Sequence, residues 1–321
     1  MPGPDAPARD IDLLVAGEIN PDVVVTDPDP VPVFGQHERF VDGIRLTIGS
    51  SSVIAACGAA RLGLRVAFAG VVGADALGRY MLDAMQERGL DTTACRVDPL
   101  LPTAASVILG NGHDRAILTS RGTVAGLRAA DVPASLLARA RHLHVGSWFL
   151  QAAPELAMLL DAARAAGCTT SIDPNWDPSA AWNGGFAEAA ARVQLVLPNA
   201  AEACRLARVD DVEAAARALA AAGGDTGPTV VVKLGAAGAL AATPDGALVR
   251  VAAVPVEPVD TTGAGDSFDA GFLAAWLDGR PLDACVRFAV ACGSLSTLGV
   301  GGTDAQPTHA QVEALLAGGA P

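Results

Sequence analysis

Short runs of β-branched and aliphatic residues alternate along the chain with longer stretches rich in Ala and Leu. The runs 11–16 (IDLLVA), 66–71 (VAFAGV), 105–109 (ASVIL), 142–146 (HLHVG), 170–173 (TSID), 194–198 (QLVLP) and 229–234 (TVVVKL) predict strands. The stretches 52–63, 76–88, 131–140, 154–166, 186–192, 200–207, 211–222, 264–278, 281–298 and 309–317 predict helices. Strands that alternate with helices of this length imply βαβ units and a parallel sheet. Several of the runs are apolar on both faces, as expected when helices cover both sides of the sheet. Residues 22–48 break the pattern. They are strand-like, rich in Pro and charge, and contain no helical stretch. The alternation in FVDGIRLTI predicts a hairpin around Asp42-Gly43, a turn-forming dipeptide. A β-excursion this early reads as a lid or a dimerisation flap. The economical organisation is one domain over 1–321, with 22–48 contributing to a small β-lid.

Composition narrows the class. The 321 residues are 51% hydrophobic and 18% charged, enough for a large core and unlike a disordered chain. The net charge of −13 excludes a general nucleic-acid binder, because phosphate backbones draw clustered Lys and Arg. Binding ATP needs only a local positive field. No apolar stretch of about 18 residues marks a membrane span. The six cysteines form no CxxC pair and read as free thiols of a reducing cytoplasm. The opening decamer MPGPDAPARD lacks the apolar core of a secretory leader and reads as a frayed tail. Lys233 is the sole lysine.

The segment from Val256 to Phe272, VEPVDTTGAGDSFDAGF, carries the most chemistry. A strand ends near Val259, a turn of small residues follows, and an apolar helix begins. Gly263, Ala264 and Gly265 let backbone N–H groups approach an anion, and the new helix adds the positive end of its dipole. Such an anion hole suits the charge of a transferring phosphoryl group. Asp266, in the first helical turn, is placed to take the proton of an attacking hydroxyl. A Gly-rich turn that merely caps a helix is the competing reading. Asp260, Thr261 and Thr262 before the turn and the Phe-Asp-Ala-Gly-Phe run after it weigh against that reading.

DTTGAGDSFDAGF resembles the second signature of the ribokinase, or phosphofructokinase-B, family of carbohydrate kinases. Further segments in family order resemble it too: Gly17-Glu-Ile-Asn-Pro-Asp22, Val72-Gly-Ala-Asp-Ala-Leu-Gly78, Leu197-Pro-Asn-Ala-Ala-Glu202, Lys233-Leu-Gly-Ala-Ala-Gly238, and Ala289–Thr297 with the Gly-rich stretch and Pro307-Thr308 after it. The resemblance implies a three-layer α/β sandwich with a central, mostly parallel sheet and a small β-lid. It implies ATP and Mg²⁺, a small-molecule sugar acceptor, possible activation by K⁺, and a homodimer formed through the lid. Asp266 would be the base, and the amides of Gly263, Ala264 and Gly265 the anion hole. Asp22, Gly49 and Ser50 would bind the sugar. Asn199 and Glu202 would order water around Mg²⁺ and phosphate, although NAAE equally fits a helix cap with its capping-box partner. Gly235 and Gly238 would line the nucleotide site, or form a hairpin turn, or both. Lys233 would contact phosphate or simply end a strand. Asp260 and Thr262 resemble the family's monovalent-cation ligands, completed by carbonyls of 297–302. Arg115 and Arg121 resemble a cleft-facing arginine pair, or are exposed edge charges.

Two departures bear on the acceptor. Ile54 stands where the family's first signature has a sugar-binding Asn, and an isoleucine makes no such contact. Serines 50–52 are the candidates to replace it. In Ser171-Ile-Asp-Pro-Asn-Trp-Asp-Pro178, Asp177 stands in place of an Arg, which weakens the case for an anionic sugar. With Tyr80 the sole tyrosine and aromatic content at 4%, a neutral sugar is favoured over a nucleoside. Phe34, Phe40, Trp148 and Phe149 keep a nucleoside as the alternative. A non-catalytic sugar sensor would not need Asp266. A dinucleotide-dependent oxidoreductase would need GxGxxG after the first strand, where this chain has GEINPD.

Overall fold

Both faces of the expected parallel sheet are apolar, and helices cover both. In the computed structural model, which describes residues 9–110 and 115–318, the chain begins with β1 (Ile11–Ala16), β2 (Pro21–Thr26), β3 (Gly43–Ile48), α1 (Ser51–Arg61), β4 (Val66–Ala69), β5 (Val71–Gly73) and α2 (Ala76–Glu87). It continues through β6 (Arg96–Asp98), β7 (Ala105–Gly110), β8 (Arg115–Ser120), α3 (Ala134–Arg139), β9 (Ala140–Val145), α4 (Ala153–Ala165), β10 (Thr169–Ile172), α5 (Phe186–Ala190) and β11 (Leu195–Val196). The last part holds α6 (Ala200–Ala207), α7 (Val212–Ala221), β12 (Thr229–Lys233), β13 (Ala239–Ala242), β14 (Leu248–Val251), α8 (Ala264–Leu277), α9 (Leu282–Ser296) and α10 (His309–Leu316).

The large sheet has the order β14-β13-β12-β11-β10-β9-β1-β4. From β12 to β4 every pairing is parallel, and β13 and β14 add an antiparallel edge. Period-two alternation sorts its side chains into two cores. Leu13, Val15, Leu195, Val231, Ala239 and Ala241 pack towards α1, α2, α8, α9 and α10. Leu14, Ala16, Val196, Val230, Val232, Leu240 and Ala242 pack towards α3 to α7. The result is a three-layer α/β/α sandwich. The parallel strands all point their carboxyl ends to one edge, the edge where open α/β sheets hold ligands.

A second sheet, of order β3-β2-β7-β8, stands apart from the sandwich. Its register places Thr47, Asp22, Ser106 and Thr119 in one row across all four strands. The next row is Leu46, Val23, Val107 and Leu118. One face is therefore polar where the other is apolar. This corrects two expectations. The run 105–109 is not a core strand. It pairs with β2, and the small sheet recruits 105–110 and 115–120 in addition to the early segment. There is also no tight hairpin at Asp42-Gly43. Gly43 opens β3, and the antiparallel partner β2 lies across the long connection 27–42. Local alternation cannot reveal a partner so distant in sequence. Strands β5, β6, β13 and β14 are not marked by the periodicity, because they are short or lie at edges, whereas β8 falls on the segment that resembles an arginine-bearing strand.

Helix starts follow local chemistry. Asp75, Asp211 and Thr308 cap α2, α7 and α10 with side-chain oxygens, and Ser50 caps α1 through a bond from the Val53 amide at 3.1 Å. Helices α8 and α9 meet so closely that a Cβ on Gly271 would lie 2.6 Å from Cys292 Sγ and 3.1 Å from Ala289 Cα. The predicted consequence is that Gly271→Ala, at a site with no room for a methyl group, lowers stability by about 1–3 kcal/mol. Urea unfolding reads this as a lower midpoint with an unchanged slope, and an unaltered midpoint would contradict so tight a helix contact.

Candidate active site

Four strand ends deliver polar groups to one place. After β1 comes Glu18, after β9 Ser147, after β10 Asp173 and Asn175, and at the end of β12 Lys233. Glu18 is buried and takes three hydroxyls. Its Oε1 accepts from Ser50 Oγ at 2.9 Å and Ser147 Oγ at 3.0 Å, and its Oε2 accepts from Ser52 Oγ at 2.7 Å. Ser52 threads between strand ends that must be glycine. A Cβ on Gly17 or Gly146 would lie 2.1 or 2.2 Å from its Oγ. Gly49 is glycine for a related reason, since a Cβ there would fall 2.1 Å from Asp22 Oδ1. Asn20 steadies that carboxylate, donating from Nδ2 to Asp22 Oδ1 at 3.2 Å and to Ser106 Oγ at 3.3 Å.

The start of α8 divides two cavities. Gly263 is its N-cap, with the left-handed φ of 72° that glycine accepts. A cavity of about 890 Å³ is lined by Asp22, Ser50, Ser51, Ile54, Thr262, Gly263 and Asp266, with Glu18, Ser106, Thr119, Arg121, Phe149, Asn175 and Trp176. A second, of about 570 Å³, is lined by Lys233, Gly235, Gly238, Thr261, Ala264, Gly265 and the apolar stretch 253–256. The turn 263–265 thus stands between them. The Ala264 amide is already engaged, donating to Thr261 O over a long 3.3 Å. The Gly263 and Gly265 amides have no acceptor among the described residues, so two of the three expected donors are open to an anion.

Asp266 sits in the first turn of α8. Removal from water pushes its carboxyl up to about 7. The Lys233 ammonium pulls the other way, the Asp173 and Glu18 carboxylates add to the rise, and a hydrogen bond from Ser51 lowers it. A carboxyl poised near neutrality suits a general base. One turn on, Asp269 is buried, and burial holds its carboxyl well above the usual range despite the nearby Lys233. Lys233 Nζ lies 2.8 Å from Asp269 Oδ2 and 2.8 Å from Asp173 Oδ2. Burial disfavours charge on Asp173 too, yet Lys233 and hydrogen bonds from Asp269 and the Asn175 amide hold its carboxyl below the usual range. The oxygens of Asp173, Asp266 and Asp269 come within 4.8 Å of one another, but the lysine ammonium already serves as their cation.

Other expected positions resolve differently. Asn199 and Glu202 form a complete capping box. Glu202 N donates to Asn199 Oδ1 at 2.9 Å, and Asn199 N donates to Glu202 Oε2 at 2.9 Å. Neither residue lines either cavity. Burial first, then the Asp173 charge, pushes Glu202 up to about 7. Gly235 and Gly238 form a turn, with Leu234 N donating to Gly238 O at 2.8 Å, and they also line a cavity. Asp260 joins two loops by accepting from Thr262 N at 2.8 Å and Gly301 N at 2.9 Å. Ile54 packs against Gly302 and Gly263, where Cβ atoms would meet it at 2.6 and 3.0 Å. Ser50 and Ser52 are held by Glu18, whereas Ser51, bonded by Asn175 Nδ2 at 3.3 Å, lines the cavity beside Ser50. Asp177 turns away from the site. It accepts from Ser179 Oγ at 2.6 Å and from Trp182 N at 2.6 Å and shapes the loop 177–182. Arg121 faces the larger cavity, while the Arg115 side chain lies outside the described residues. Ser51 is among the serines expected there, whereas local sequence patterns do not mark Glu18, Asp173, Asn175 and Asp269 as site residues. Their placement directly after strands, or three residues beyond Asp266, was the available signal.

An open α/β sheet whose ligand edge holds a helix start with two open backbone amides beside an acid poised near neutrality is an arrangement that a small-molecule kinase needs. The chain belongs to the pfkB family of carbohydrate kinases, whose profile it matches over residues 15–309, and it is an ATP-dependent phosphotransferase. It is 29% identical over 306 residues to an ATP-dependent ribose-1-phosphate kinase of Halopiger xanaduensis, covering 95% of this chain and 97% of that one. It is 28% identical over 292 residues to a nucleoside kinase of Methanothermobacter thermautotrophicus, covering 89% of each. A crystal structure of Vibrio cholerae O395 fructokinase with fructose, ADP and calcium superposes with a TM-score of 0.79 at 26% identity, over 96% of this chain and 99% of that one. Relatives at similar identity thus differ in their named acceptors.

The perturbed acid has a consequence for stability. An unfolded Asp ionises near its usual 3.8, whereas Asp266 in the fold holds its proton to about 7. Between these values the folded state binds the extra proton, so stability falls as pH rises. Melting temperatures of the ligand-free protein from pH 5 to 7.5 are expected to decline less steeply in Asp266→Asn than in the wild type. Equal slopes would show that Asp266 ionises normally.

Proposed function

We propose that the protein transfers the γ-phosphoryl group of ATP to a hydroxyl of a small neutral sugar, with Asp266 as the general base. The observation that carries this reading is the position of the 263–265 turn between the two cavities, with Asp266 on the side of the larger one. ATP would occupy the cavity lined by Lys233, Gly235 and Gly238, and the sugar the cavity lined by Asp22 and Ser50. Gly49 acts by leaving space for the Asp22 carboxylate. Asp266 removes the hydroxyl proton as that oxygen bonds to the γ-phosphorus. The bond from this phosphorus to the bridging oxygen breaks, and ADP leaves with the electron pair. The Gly263 and Gly265 amides, with the longer-bonded Ala264 amide, offset the charge of the transferring group.

The acceptor cavity is acidic. Glu18, Asp22 and Asp266 line it, and among the described residues Arg121 is its sole lining cation. That balance supports a neutral polyol over a sugar phosphate or sugar acid, now without any part played by Asp177. A nucleoside is the second reading, because Phe149 and Trp176 line the same cavity and could stack a base. Mg²⁺ would accompany ATP and offset phosphate charge. Asn199 and Glu202, whose oxygens close the capping box outside both cavities, would act on it only through water, and a nearby cation would favour the ionised form of Glu202. K⁺ would sit by Asp260 and Thr262, where one carboxylate draws two loops together. The four-stranded sheet would act as the lid, excluding water from the transfer. Its apolar row of Leu46, Val23, Val107 and Leu118 would meet a second copy in a homodimer. The six unpaired cysteines suit the cytoplasm. No helix among the described residues is long and apolar enough to cross a membrane.

Asp266→Asn is expected to lower kcat by about 10²–10⁴-fold, and near wild-type turnover would remove Asp266 from its role. A panel of ribose, fructose, ribose 1-phosphate, gluconate, adenosine and cytidine with ATP is expected to give the highest kcat/KM on a neutral sugar. Highest efficiency on ribose 1-phosphate or gluconate would overturn the electrostatic argument, and on a nucleoside would favour the second reading.

A further inference from the structure

Every basic residue of this chain other than Lys233 and the histidines is an arginine. The one lysine stands at the wall between the two cavities. Its ammonium has three donors. Two go to Asp173 Oδ2 and Asp269 Oδ2, each at 2.8 Å. The third has no acceptor among the described residues. The side chain runs along the first turn of α8, where a Cβ on Gly265 would lie 3.6 Å from its Cδ and 4.0 Å from its Nζ. It also lines the cavity assigned to ATP. A planar guanidinium would spend its donors as a fork, whereas an ammonium is a compact point charge that can exchange one partner for another.

The two carboxylates are not equivalent. Asp173 is anchored on its other oxygen by the Asn175 amide at 2.8 Å. Asp269 Oδ1 is buried with no hydrogen-bond partner. Two carboxylates cannot both stay ionised around one ammonium in so dry a place. Asp173 is the ionised member and Asp269 the one that keeps a proton, so the contact to Asp269 is the weaker hold.

We propose that Lys233 is a catalytic residue of the phosphoryl transfer, its ammonium passing from Asp269 to the oxygens of the transferring group while Asp173 retains it, with Asp269 as the positioning residue that holds it beside Gly265, where the ammonium and the Gly265 amide can donate to the same anion. The proposal rests on the assignment of ATP and acceptor to the two cavities. It makes Asp173 a link between them, since one oxygen holds Lys233 and the other holds the backbone of Asn175 in the acceptor wall. The groups that face Asp266 are Lys233 from β12, Asp173 from the end of β10, Glu18 from the end of β1, Asp269 from α8 itself and the Ser51 hydroxyl from α1.

A sole lysine permits a direct test. In protein labelled with ¹⁵Nζ-lysine, the single side-chain resonance is expected to shift when a non-hydrolysable ATP analogue that keeps the γ-phosphate is added, and by more than with ADP; no shift at saturating analogue, or one that ADP fully reproduces, would overturn the proposal. Kinetics with ATP and the best acceptor of the panel give a second readout. Lys233→Met is expected to lower kcat by about 10²-fold, with a smaller change in the KM for ATP. It should move the acidic limb of the kcat/KM profile to higher pH, because Asp266 loses a neighbouring cation. Asp173→Asn should move that limb to lower pH, because Asp266 loses a neighbouring anion. Asp269→Asn, which keeps a neutral hydrogen-bonding shape, should retain more kcat than Asp269→Ala. If Lys233→Met fails to fold, the charge-matched double variant Lys233→Met with Asp173→Asn replaces it. The double variant is expected to fold and stay slow, and its return to wild-type kcat would show that Lys233 is only a structural ion-pair partner. Failure of the Asp266 assignment is separate, because it appears as an active Asp266→Asn whatever the lysine variants do.

Discussion

The site depends on one ammonium group held between a sheet and a helix. Lys233 ends β12, Asp173 follows β10, and Asp269 projects from α8. Without that cation, three carboxyl groups within 4.8 Å would face one another in a buried place. The ion pairs fix the start of α8 against the carboxyl edge of the sheet. That start carries Gly263, Gly265 and Asp266, so the two open amides and the acid inherit the position of the lysine. The buried network also sets protonation, because the carboxyl of Asp266 responds to each of its neighbours.

Around this centre, residues that bring nothing to the chemistry make it possible by being small. Gly17 and Gly146 admit Ser52 between strand ends, and Gly49 admits the Asp22 carboxylate. Glu18 gathers the hydroxyls of Ser50, Ser52 and Ser147 and so fixes the start of α1 against β1 and β9. Ser50 and Ser51 line the cavity. Ile54 supports the glycines at 263 and 302 from behind. Its apolar side chain offers the acceptor no hydrogen bond. The polar groups that line the larger cavity are Asp22, Ser106 and Thr119 of the small sheet and Ser50, Ser51 and Asn175 beside the large one.

Acid and cation differ in how far their partners lie along the chain. The start of α8 is local. Its glycines, its acid and its apolar continuation are contiguous, and their chemistry is legible directly. The lysine is not legible in that way. In sequence it is only the last residue of a strand or a contact to phosphate, because its two partners lie 60 and 36 residues away. Asn199 and Glu202 fall on the local side, where the capping box that NAAE spells is the one that forms.

By itself the sequence determined the alternation of strands and helices, the apolar faces of both cores, the helix caps and the chemistry of the 260–266 segment. These features rest on contacts within a turn or two, or on a period of two or 3.6 residues. The tertiary structure decided which strands left the main sheet, since β2, β7 and β8 are matched across gaps that no local pattern spans. It turned Asp177 into its own loop, brought Asp173 and Asp269 to Lys233, and drew Ser52 away from the cavity that Ser50 and Ser51 line. Each of those outcomes depends on charge and space contributed by segments far apart in the chain, and only folding brings them within hydrogen-bonding distance.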